Sequence, residues 1–95
     1  MLFKTNENRF GKLQILSYGY SLQFRYRTFS EDGSVFSGSN LLEIGGTYSA
    51  DLDAGLQTTS ADLVNKPDFF WEQVSAVVRY LTPVNDAQFY RYYTQ

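Results

Sequence analysis

Cysteine and histidine are both absent from the 95 residues. Without cysteine there is no disulfide, no thiolate nucleophile and no thiolate-bound metal. Without histidine the chain lacks the commonest general base and the commonest transition-metal ligand. The composition therefore argues against zinc, copper and haem sites and against Ser-His and Cys-His nucleophile pairs. Long apolar runs are missing too: no stretch approaches the roughly 18–20 residues of a membrane span. The opening residues, Met1 to Arg9, turn polar at once and carry no apolar signal region. The expectation is a cytoplasmic protein with no membrane association. Proline is scarce, at two residues, and both fall in the last third, where they punctuate.

What the chain does have is rings. Eight Phe, eight Tyr and one Trp make 18% of it aromatic, enough for a short chain to build a core and to leave some rings for an interface. The length fits a single globular domain, residues 1–95. The net charge of −2 is unevenly spread. Residues 1–40 sum to +2, residues 41–72 to −5 and residues 73–95 to +1. An overall basic field of the kind that drives nucleic-acid binding is absent.

The first half reads as strand. Leu22, Phe24, Tyr26 and Thr28 alternate with Gln23, Arg25 and Arg27, the period of a half-buried strand. Leu13 and Ile15 alternate with Lys12 and Gln14 before it. Ser30-Glu31-Asp32-Gly33 favours a hairpin into Ser34 to Ser37. Residues 68–81 read differently. Phe70, Val74, Val77 and Leu81 fall on one helical stripe, with Asp68, Glu72, Ser75 and Arg79 opposite. Pro67 and Asp68 suit the first turn of a helix. Thr82-Pro83 resembles the opening of a second, short helix over residues 84–93, and the alternative there is a final strand from Gln88 to Tyr93. The expected fold class is α+β: an antiparallel meander of three to five strands over residues 10–52, covered by an amphipathic helix at 68–81 and a short C-terminal helix.

The candidate chemistries are weak. Asp51-Leu52-Asp53-Ala54-Gly55, with Asp62 further on, resembles the start of a calcium loop, but the glycine sits one place early and no glutamate closes the pattern. A polar turn is the better reading, and no metal or cofactor is expected. Gly45-Gly46-Thr47 lacks the Gly-Lys-Ser/Thr of a phosphate loop and reads as a corner. Carboxylate pairs drawn from Glu43, Asp51, Asp53, Asp62 and Glu72 have no specificity, so an enzyme is not expected. Basic and aromatic residues interleave at Phe24 to Arg27 and at Phe89 to Tyr93. In the first of these, alternation separates the rings from the arginines, so single-stranded nucleic-acid binding through Arg25, Arg27 and Arg91 stands as a further alternative, not the main reading.

These observations lead to an expectation of a small non-enzymatic protein-binding module, in the manner of an inhibitor, an immunity-type protein or a phage-encoded regulator. Its acidic patch would be Glu43, Asp51, Asp53, Asp62 and Asp68, and its aromatic contacts Phe69, Tyr80, Tyr90 and Tyr92. The partner would be another protein or a second copy of the chain, with no small-molecule substrate. A self-assembling structural subunit is the alternative.

Overall fold

The computed structural model describes residues 1–59, 61–62, 64–75 and 77–90. Nine strands follow one another: β1 (Leu2–Lys4), β2 (Phe10–Tyr18), β3 (Leu22–Phe29), β4 (Val35–Ile44), β5 (Ser49–Asp51), β6 (Leu56–Thr58), β7 (Phe69–Gln73), β8 (Arg79–Pro83) and β9 (Gln88–Tyr90). They make two antiparallel sheets. The larger has the order β4-β3-β2-β1-β9 and the smaller β6-β5-β7-β8. The described residues include no helix, and none therefore that is long and apolar enough to cross a membrane.

The α+β expectation is thus overturned: the fold is all-β. Residues 68–81 form a β-hairpin, not a helix. Phe69 pairs with Pro83, Trp71 with Leu81 and Gln73 with Arg79. The reason lies in which residues are buried. In β7 the buried positions are Phe69 and Trp71, a period of two. Val77, which the helical stripe placed in the core, is 85% exposed at the hairpin tip. The residues themselves, Phe, Trp, Val, Tyr and Thr, are those that fit a pleated surface. Pro83 lies at the end of β8, the edge strand of the smaller sheet, where a missing N–H is tolerated. The second expected helix is corrected as well. Asn85 and Asp86 take left-handed backbone angles (φ 52° and 70°), which breaks any helix there. The chain then enters β9, which pairs with β1.

β1 to β4 form a meander, each strand pairing with the next. One face of β3 is buried through Leu22, Phe24, Tyr26 and Thr28, as its alternation requires. The β3–β4 turn is closed by the Gly33 N–H donating to Ser30 O, with Gly33 at φ 87°. Gly11 on β2 is needed for a different reason: a side chain there would collide with the Phe3 ring and the Arg27 carbonyl.

The core lies between the sheets. Phe3, Leu13, Leu22, Phe24, Tyr26 and Ile44 from the larger sheet meet Ala50, Leu52, Phe69 and Trp71. Phe24 and Phe69 meet edge-on, with ring centroids 5.7 Å apart, and Phe89 approaches Phe69 at 5.9 Å. Two further bonds cross the joint: Thr28 Oγ1 donates to Leu52 O at 2.8 Å, and Trp71 Nε1 donates to Tyr20 O at 3.1 Å. Phe69→Ala should destabilise the protein by about 3–5 kcal/mol. Val77→Asp should change stability by no more than about 0.5 kcal/mol. Urea denaturation of the two variants measures this; a severe loss from Val77→Asp would restore the helical reading.

Candidate functional site

The inward residues of the larger sheet are covered by the smaller one, so its outward residues form a free face. The register lines them up in rows. Tyr90, Leu2, Lys12, Arg27 and Gly38 stand opposite one another across all five strands. Gln88, Lys4, Phe10 and Phe29 form the next row, and Gln14 stands opposite Arg25. Four of the eight basic residues of the chain, Lys4, Lys12, Arg25 and Arg27, therefore share one face. The carboxylate on these outward strand positions is Glu43, held near one end by Gln23 Nε2 donating at 2.7 Å.

The arginines are held in place. Arg25 Nε donates to Gln14 Oε1 at 2.7 Å, a bond that does not use its two terminal nitrogens. Arg27 donates from Nη1 to Tyr26 O at 2.7 Å and from Nη2 to Asn40 Oδ1 at 2.6 Å. Its stem lies across Gly38, where a Cβ would meet Arg27 Cδ at 2.7 Å. Lys12, Gln14, Arg25, Arg27 and Asn40 line an open depression of about 700 Å³. Two exposed rings, Phe10 and Tyr90, stand in the same rows.

A second cluster lies in the joint between the sheets. One carboxylate oxygen from each of Asp51, Asp53 and Asp68 falls within 4.8 Å of the others, all three side chains being buried. Asp68 Oδ1 accepts from Asn6 N at 2.7 Å, and Oδ2 accepts from Leu52 N at 2.6 Å. Asp51 Oδ1 accepts from the N–H groups of Asp53 and Ala54, closing the turn after β5. Asp53 Oδ1 accepts from Arg9 Nη1 at 3.1 Å, and the Arg9 guanidinium lies over the Phe36 ring at 3.7 Å. A triad of this kind has the oxygen chemistry of a hard-cation site. Here, however, both oxygens of Asp68 and one each of Asp51 and Asp53 already serve backbone amides or the guanidinium, which is the pattern of a structural joint. Burial is the main cause that pushes the Asp68 carboxyl up to about 7, with the neighbouring Asp53 and Asp51 charges adding to it. Burial likewise raises Asp51 and Asp53.

The expected contact residues scatter. Glu43 is on the outer face of the larger sheet, Asp51, Asp53 and Asp68 are buried, and Phe69 is in the core. Asp62 is partly exposed and caps its own loop, accepting from Thr58 Oγ1 and from the N–H groups of Val64 and Asn65. It stands outside the buried triad, whose third member is Asp68. Tyr80 is 55% exposed on β8, on the other sheet from Tyr90. Tyr92 and Arg91 lie outside the described residues. The acidic residues therefore do not form one surface patch. Lys4, Lys12 and Phe10 were missed as partners of Arg25 and Arg27. Alternation in residues 12–15 marked Lys12 and Gln14 as outward, but only the β1–β2–β3 register aligns them with the arginines.

No family model, curated protein or solved structure matches the chain.

The raised carboxyls fix a pH dependence. The folded protein holds these protons more tightly than the unfolded chain, whose carboxyls titrate near 3.8. The contribution of Asp68 to stability is complete below that pH and is lost as pH rises through about 7. Wild-type protein should melt at a higher temperature at pH 5 than at pH 8, a range chosen to bracket the Asp68 value of about 7. Asp68→Asn, which keeps one acceptor but does not titrate, should shrink that difference in calorimetric scans.

Proposed function

We propose that the protein is a non-catalytic binding module that takes a polyanionic partner on the outer face of its larger sheet. The observation that carries this reading is the gathering of Lys4, Lys12, Arg25 and Arg27 on one open face. The chain is net negative, yet three of its acids, Asp51, Asp53 and Asp68, are buried in the joint, while Lys4, Lys12, Arg25 and Arg27 lie on the far side of the larger sheet, with Glu43 near one end. A local field of one sign steers an oppositely charged partner even when the net charge is unfavourable. The amides of Gln14 and Asn40 hold the two guanidinium groups before any ligand arrives, which lowers the entropy lost on binding. A partner engaged through an acidic patch has less support, because three of that patch's five carboxylates are buried. The cysteine-free composition supports placing this activity in the cytoplasm.

Retention on heparin-agarose tests the reading. Wild-type protein should be held at low salt and released as salt rises, since exposed charges are screened over about 10 Å at 0.1 M. The triple variant Lys12→Glu, Arg25→Glu, Arg27→Glu should flow through. Passage of the wild type through the column at low salt would overturn the proposal.

A further inference from the structure

We infer that the polyanion is a single-stranded nucleic acid, with phosphates on Lys12, Arg25 and Arg27 and bases stacked on Phe10 and Tyr90. This rests on the anion-binding reading above and adds the ligand class. Charge complementarity alone would suit an acidic peptide equally. The rings separate the two. Phe10 is 59% exposed and Tyr90 38% exposed, both on the same face as the cations and in rows that contain them. Phe10 stands directly opposite Lys4, and Tyr90 is one strand removed from Lys12, with Leu2 between them. Every base offers a π-face to such rings, whereas a run of carboxylates does not.

The face also has the right shape for a single strand. It is an open five-stranded surface, and Gly38 leaves its far end low enough for the Arg27 stem to lie flat across it. Splayed bases can lie against such a surface, while in a duplex their faces are hidden by stacking. Because Gln14 accepts from Nε of Arg25, the two terminal nitrogens of that guanidinium form a fork suited to two phosphate oxygens. Gln88 holds the Tyr90 hydroxyl at 2.6 Å, which fixes the outward pose of that ring along the strand.

The test is fluorescence anisotropy with labelled twelve-nucleotide oligomers, one of deoxythymidine and one of uridine. A duplex of the same length and poly-glutamate serve as competitors. We expect both single strands to bind at low salt and to be displaced poorly by duplex or poly-glutamate. Phe10→Ala and Tyr90→Ala should each weaken binding by about tenfold, with heparin retention and the circular dichroism spectrum unchanged, because neither ring carries a charge and neither is in the buried core. A larger effect on one oligomer than on the other would identify DNA or RNA as the natural source. Full displacement by poly-glutamate, or ring variants that bind as well as wild type, would overturn this inference and leave the anion-binding reading standing. Loss of heparin retention by the wild type would remove both.

Discussion

The Asp68 carboxylate sits where the two sheets meet, and much of the molecule is arranged around it. One oxygen takes the N–H of Asn6 from the β1–β2 loop, and the other takes that of Leu52 after β5. Its own N–H donates to Ala50 O, and its carbonyl accepts from Val84. Asn6 and Asn85 add side-chain bonds to the carbonyl of Pro67 beside it. A buried carboxylate is expensive to desolvate, and is tolerated where amide donors surround it. Asp68 does for two sheets what a longer chain could do with more apolar area. In a 95-residue domain the core alone is thin.

That joint decides which face of the larger sheet is covered. With the smaller sheet fastened on one side through Asp68, Thr28 and Trp71, the rings of β3 point into the core. Gln23, Arg25 and Arg27 must then face outward, because strand residues alternate. The register adds Lys12 and Lys4 from β2 and β1, strands that a sequence reading treats separately. Three of the acids, Asp51, Asp53 and Asp68, are drawn the other way, into the joint. This partial separation of charge is a consequence of packing, and it helps give a net acidic chain a basic face.

β3 was legible because its signal is local: strict alternation of rings with polar residues, bounded by a turn containing Gly33. The hairpin of β7 and β8 was not. Phe70, Val74, Val77 and Leu81 have helical spacing by coincidence, and a stripe of apolar residues shows periodicity without showing what it packs on. Two facts external to the segment settle it. β5 lies open to pair with Phe69 and Phe70, and the core has room for Phe69 and Trp71 from one strand face. Asp68 misled in the same way. Ahead of an apolar stripe it looks like an acid in the first turn of a helix, favoured by the positive N-terminal end, whereas its partners Asn6 and Leu52 are 62 and 16 residues away.

By itself the sequence determined the β character of residues 10–29, the lack of thiol and imidazole chemistry, and the outward pointing of Arg25 and Arg27. Each of these follows from composition or from a period of two within a single strand. Only the tertiary structure decided that residues 69–83 are a hairpin, that Asp51, Asp53 and Asp68 are buried, and that Lys4, Lys12, Phe10 and Tyr90 join the arginines. Those features depend on which strands lie side by side and which face is covered. Pairing of strands far apart in the chain is set by the whole core at once, and no local pattern of residues records it.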